Sequence, residues 1–187
     1  MAADEQHLPD EALVDRVNEL GTSAWTGTAY RHTAVGRDPL SGEGARLNGA
    51  RWNPPGRPTI YLAQPEKSCM AELARSAERG GFPLRALLRR GRELHTMDVQ
   101  KLLLDLRSAE ALDHVGLTLD DVEDDDWGAC QAIGEAAHFL AMAGVAAPSA
   151  TGVGFVIAAF EDRVKAGQLT HRRTISLDKV TYERLAL

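Results

Sequence analysis

"VGFVIAAF", residues 153–160, is apolar from end to end. A strand with one wet face alternates apolar and polar residues, so an unbroken run reads as a central strand covered on both sides. Working outward, "TIYLA" (59–63) and "ELHTMDV" (93–99) read as further strands. "TAYRHTAV" (28–35) is another, with Tyr30 and His32 on one face and Arg31 and Thr33 on the other, and "LTHRRTISL" (169–177) alternates as an edge strand does. Helices lie between them. Asp10 can cap a helix that aligns Leu13, Val14, Val17 and Leu20 and stops at Gly21, giving a docked N-terminal helix within 1–21. Pro65 suits the first turn of a helix whose stripe is Cys69, Met70, Leu73, Ala74 and Ala77, ended by Gly80 and Gly81. Residues 127–143 form a third helix, with Trp127, Cys130, Ile133, Ala137 and Leu140 inward, whereas the Gly, Pro, Asn and Asp of 36–58 read as loop. The order has no regular βαβ rhythm and no GxGxxG. The expected fold class is therefore α+β: a mixed or antiparallel sheet with flanking helices.

Composition narrows the function. A chain of 187 residues, 44% hydrophobic, holds one core, so residues 1–187 are expected to be a single domain. No apolar run approaches the roughly 20 residues of a membrane span, and "MAADEQHLPDEALVD" has neither the basic patch nor the apolar stretch of a signal peptide. A cytoplasmic protein without membrane attachment is expected. A formal net charge of -6 argues against direct nucleic-acid binding. Cys69 and Cys130 lie among apolar helical residues and read as buried free thiols, and without CxxC or HxxxH spacing no metal is expected. The acidic run "DDVEDDDW" (120–127) lacks EF-hand spacing and reads as the approach to a helix, with Asp126 as its cap. No GxSxG accompanies Ser149, which excludes the common serine hydrolase design.

The costly loop "NGARWNPPGRPTIYLA" (48–63) carries the functional signal. Arg46, Arg51 and Arg57 read alone as solvated charge, and Trp52 as a cap on the core. Tyr61 on the following strand and Glu72 at the border of the next helix's apolar stripe change that reading. Arginines can hold phosphates, an aromatic face can hold a planar ring, and one carboxylate can oppose a developing cation.

"YRHT", "RDPLSGEGARLNGARWNPPGRPTIYLA", "CMAELARSA", "DDWGACQAIGEAAHFL" and "PSATGVGFVI" together resemble, in order and spacing over most of the chain, the RES domain. This is the toxin half of RES–Xre toxin–antitoxin pairs, and the likeness is greatest to its MbcT-type branch. The family is named for an Arg, a Glu and a Ser, which here match Arg31 or Arg51, Glu72 and Ser149. The resemblance implies an ADP-ribosyltransferase-like fold and a toxin that consumes NAD+. Its reaction is cleavage of the nicotinamide–ribose bond, by phosphorolysis to nicotinamide and ADP-ribose 1''-phosphate or by hydrolysis. No cofactor is implied; NAD+ is the substrate, inorganic phosphate a candidate co-substrate, and a cognate Xre-type helix-turn-helix antitoxin the partner in a hetero-oligomer. Transfer of ADP-ribose to a macromolecule, or an inactive binding module, are the alternatives. The catalytic set so implied is Glu72, Arg31 and Tyr61, with Arg51, Ser149, Tyr30 and Trp52 binding NAD+ or phosphate. The sequence departs from relatives at Ala50, where a second glycine is common, and at Gly128, where some carry Ser after the tryptophan. Ala50 therefore needs no left-handed backbone.

Overall fold

A computed structural model describes residues 9–187, so the first residues of the expected 1–21 docking segment and of the leader reading lie outside the described residues. In chain order the elements are α1 (Glu11–Leu20), β1 (Ser23–Ala34), α2 (Glu43–Asn48), β2 (Thr59–Gln64), α3 (Glu66–Arg79) and α4 (Leu84–Arg89). They continue with β3 (Arg92–Asp105), α5 (Ala109–Val115), α6 (Leu119–Glu123), α7 (Gly128–Phe139), β4 (Gly144–Pro148), β5 (Phe155–Phe160), β6 (Leu169–Ser176) and α8 (Lys179–Leu185). The class is α+β, with a mixed six-stranded sheet ordered β1-β2-β5-β4-β3-β6.

β1 also pairs with β3 along its whole length, from Ser23↔Leu103 to Ala34↔Arg92. It touches β2 in register only at Tyr30↔Ala63, and β3 meets β4 in parallel only at Leu104↔Val145 and Asp105↔Ala146. The first five strands thus close on themselves through two short seams, and β6 pairs with β3 alone as an edge strand.

The period of two along each strand separates two apolar clusters. On β5, Val156, Ala158 and Phe160 face the helices while Ile157 and Ala159 join the opposite cluster with Ile60, Leu62 and Met97. That double burial is why the run shows no alternation. On the helix side lie Tyr30, Tyr61, Val145 and Ala147, packed against Leu73, Ile133 and Val17 of α3, α7 and α1.

Local departures have local causes. Residues 36–58 are not all loop, because 43–48 form α2, closed at Gly49 with φ 68. The helix expected over 127–143 ends at Phe139, and Ala141 follows with a positive φ of 59. The acidic run folds as α6, capped by a reciprocal Thr118–Asp121 box; Asp126 is not the cap of α7, a position held by Trp127, although its carboxylate accepts the Gly128 N–H at 2.9 Å. α1 starts at its Asp10 cap and ends at Gly21. Cys69 and Cys130 are free and buried.

Candidate functional site

α3 places two stripes side by side. Cys69, Met70, Leu73 and Ala77 go to the core, and Glu72, Arg75 and Arg79, spaced i, i+3 and i+7, line an adjoining cleft of about 330 Å3. Arg51, Tyr61, Trp127 and Ala150 form the other walls.

Glu72 is held by a serine from another element. Ser149 follows β4 in phase with Val145 and Ala147, so it points to the helix side, and its buried hydroxyl donates to Glu72 Oε1 at 2.6 Å. With that proton committed, Thr151 donates both its hydroxyl (2.6 Å) and its backbone N–H (3.1 Å) to Ser149 Oγ. The relay fixes one carboxylate oxygen.

The costly loop is a braced hook. Ala50 and Asn53 exchange backbone hydrogen bonds of 2.9 and 3.2 Å, and Gln131 of α7 donates to the carbonyls of Ala50 (2.9 Å) and Asn53 (3.2 Å). Ala50 is not among the positive-φ residues; the left-handed position is Gly49. The Tyr61 hydroxyl accepts the Trp52 N–H at 2.9 Å and donates to Asn53 Oδ1 at 2.8 Å, leaving the ring as cleft wall. Burial pushes that phenol's pKa up, so it stays neutral. Arg51 is 9% exposed and donates to the Asp124 carbonyl at 2.6 Å. Burial lowers its pKa, yet a guanidinium remains a cation. Beneath it, burial pushes the Cys130 thiol up to about 11, so no thiolate nucleophile is available there.

Of the residues singled out in the sequence, Glu72, Tyr61 and Arg51 line the cleft, and Ser149 is buried behind Glu72. The cleft does not bring in the others. Trp52 is fully buried in the core, where it supports the hook from below and touches no solvent. Tyr30 packs on the helix-side cluster, and Arg31 spends its two terminal nitrogens on the carbonyls of Pro39 and Ser41, both at 2.8 Å. Sequence reading missed Arg75, Arg79 and the true place of Trp127, which is cleft wall rather than core. The spacing of Glu72, Arg75 and Arg79 puts them on one helix face, but it does not tell whether that face meets solvent or a cleft. Arg75 donates to the carbonyls of Ala150 (2.9 Å) and Glu123 (2.6 Å), and the Arg79 guanidinium lies 4.0 Å over the Trp127 ring.

A larger concavity of about 620 Å3 runs past Met142, Arg163 and Lys165. Its one lining carboxylate, Asp162, is taken by His138 at 2.7 Å, so that volume presents no free carboxylate. The smaller cleft instead offers an oriented carboxylate, two aromatic rings and three guanidinium groups. That set suits an anionic ligand that carries a planar ring and gains positive charge during reaction. Among the described residues no group of three or more His, Cys, Asp or Glu is placed to hold a metal ion.

The RES domain matches residues 11–181 of the chain. NAD(+) phosphorylase MbcT of Mycobacterium tuberculosis (strain H37Rv) is 47% identical over 178 residues, covering 94% of this chain and 96% of that protein, and MbcT of Mycobacterium bovis gives the same figures. A chain in the crystal structure of the M. tuberculosis MbcT–MbcA toxin–antitoxin complex superposes with a TM-score of 0.89 at 46% identity, over 95% of this chain and 98% of that one.

Proposed function

From the premise that the chain belongs to the RES-domain family, we propose that it is an NAD+-degrading toxin that cleaves the nicotinamide–ribose bond and passes ADP-ribose to inorganic phosphate. The observation that carries this reading is the Glu72 carboxylate, held by Ser149 at 2.6 Å on the wall of a cleft that also presents Tyr61 and Arg51.

Breaking the bond between C1'' and the pyridinium nitrogen leaves the electron pair on nicotinamide, which departs neutral and needs no acid. C1'' becomes oxocarbenium-like, and Glu72 opposes that charge with its second oxygen free to accept a ribose hydroxyl. The Tyr61 ring, locked at its hydroxyl, fixes the leaving ring's plane, and Arg51 holds phosphate oxygens bidentately. A phosphate oxygen then bonds to C1'', giving ADP-ribose 1''-phosphate. Ser149 acts by aiming Glu72. Trp52, Tyr30 and Arg31 act by shaping the cleft's supports, while Glu72, Tyr61 and Arg51 touch the substrate.

Residues 1–187 are read as one RES-type domain acting in the cytoplasm; no described helix is long and apolar enough to cross a membrane. The partner is a cognate antitoxin of the Xre helix-turn-helix type, since the structural relative is a toxin bound to its antitoxin. The test is incubation of the purified chain with NAD+, with and without phosphate, followed by mass analysis. Nicotinamide and ADP-ribose 1''-phosphate formed only with phosphate support phosphorolysis. Free ADP-ribose in both arms replaces it with hydrolysis, and intact NAD+ in both defeats the reading.

A further inference from the structure

The acidic segment that follows α6 lies against the cleft's arginines in a way the proposed reaction does not use. One oxygen, Asp125 Oδ1, sits 3.3 Å from Arg75 Nη2 and 3.4 Å from Arg79 Nε, shared between two guanidinium groups on successive turns of α3. The Asp125 side chain is 67% exposed, so this is a weak tether. Two donors nearby have no acceptor among the described residues: Arg75 Nε and the Trp127 indole Nε1 are both shielded and unpaired, and both residues line the cleft. Buried N–H groups ordinarily find an acceptor. Here the cations and the unpaired donors belong to residues that line the same cleft, with a single displaceable carboxylate oxygen between the two cations.

We propose that Arg75 and Arg79, backed by Trp127, form an oxyanion subsite for a phosphate-class ligand, and that Asp125 is its built-in stand-in, which the ligand must displace. The ligand is either free inorganic phosphate or the pyrophosphate of the dinucleotide, two sources of the same chemistry. This deepens the proposed function and rests on it for the identity of the ligand. Glu72 stands seven residues before Arg79 on the same helix, a rise of roughly 10 Å, so an anion at this subsite lies beside the reacting ribose rather than on it. Arg79 is the cleaner residue to probe, because among the described residues its guanidinium is partnered by Trp127 and Asp125 and holds no backbone carbonyl, whereas Arg75 also holds the Ala150 and Glu123 carbonyls.

The test is calorimetric titration of the full chain with inorganic phosphate and, separately, with ADP-ribose, neither of which requires turnover. Asp125→Asn is expected to tighten binding of the ligand that uses the subsite by about two- to fivefold, the range for an exposed ion pair. Arg79→Gln is expected to weaken it by about tenfold or more, as for loss of a charge-assisted bond. Asp120→Asn, an exposed residue of α6, makes the same charge change away from the arginines and is expected to leave both affinities as they are. An effect confined to inorganic phosphate assigns the subsite to the free anion, one confined to ADP-ribose assigns it to the pyrophosphate, and an effect on both shows that it accepts either. If neither ligand binds the wild-type chain, if Arg79→Gln changes nothing, or if Asp125→Asn tightens binding no more than Asp120→Asn, the subsite is overturned. A chain that binds these anions as expected yet leaves NAD+ intact keeps the subsite and loses the proposed function.

Discussion

Glu72 acquires its direction from one hydroxyl. Ser149 donates at 2.6 Å and is itself held by Thr151, so the carboxylate is aimed before any ligand arrives. Glu72→Gln keeps size and the hydrogen bond to Ser149 but removes the charge, and it is expected to cut NAD+ turnover by at least ~100-fold with an unchanged thermal midpoint. Wild-type turnover in that variant would take Glu72 out of the mechanism. The two arginines matched to the family's name separate by a different measurement. Arg51 lines the cleft, so Arg51→Ala is expected to raise KM for NAD+ or phosphate, and Arg51→Lys to restore little because the bidentate fork is lost. Arg31 ties down the Pro39 and Ser41 carbonyls, so Arg31→Ala is expected to lower the thermal midpoint as well. Equal midpoints in the two variants would contradict this division of roles. Glu72 was legible in the sequence because a carboxylate at the edge of an apolar stripe stands close after the arginine-rich loop and Tyr61, and because it matches the Glu of the RES pattern. Arg75 and Arg79 were not, because a polar helix face looks the same whether it meets solvent or a cleft, and their partner Asp125 lies tens of residues away.

At the scale of elements, strands and helices followed from periodicity, and the hook at 50–53 did not. Its shape depends on side-chain bonds that periodicity does not encode: one remote in sequence, from Gln131 on α7, and others nearby, from Tyr61 on β2 and from the Asn53 side chain to the Ala45 and Arg57 carbonyls. The closest of these meetings is at Gly134, where an added Cβ would stand 2.0 Å from the Trp52 carbonyl oxygen. No side chain fits there unless the hook moves off α7. Gly134→Ala is expected to cost about 1–3 kcal/mol of stability, as overpacking does, and to depress turnover by shifting Arg51. Urea unfolding followed by tryptophan fluorescence reads the first effect and steady-state kinetics the second. Unchanged stability would mean that the hook is not pressed against α7. Gly128, by contrast, would bring a Cβ only within 3.3 Å of an Asp126 carboxylate oxygen, so the Ser found there in some relatives is excluded by no backbone contact.

The whole molecule carries a formal net charge of -6, yet the cleft gathers Arg51, Arg75 and Arg79. Of the loop arginines Arg46, Arg51 and Arg57, only Arg51 lines it; Arg46 is spent on Glu43 at 2.6 Å and Arg57 on Glu135 at 2.9 Å. Positive charge concentrated in a concave site on an acidic surface selects anions, and it does so for a substrate and for an inhibitor alike. An enzyme that consumes a shared dinucleotide harms the cell that makes it, so the proposed antitoxin has a simple physical route: an acidic segment or terminal carboxylate entering the same cleft. Inhibition by that route is expected to be competitive with NAD+ and to weaken as salt rises, since the screening length falls to about 8 Å at physiological ionic strength and further above it. The measurement is growth and cellular NAD+ on expressing the chain alone and with its genomic neighbour, together with inhibition kinetics of the purified pair at low and high salt. A lone chain that degrades NAD+ in vitro but leaves cells unharmed, or a complex that turns over NAD+ as fast as the free chain, would end the restraint argument. Inhibition that is insensitive to salt and to NAD+ concentration would move the partner to a surface away from the cleft.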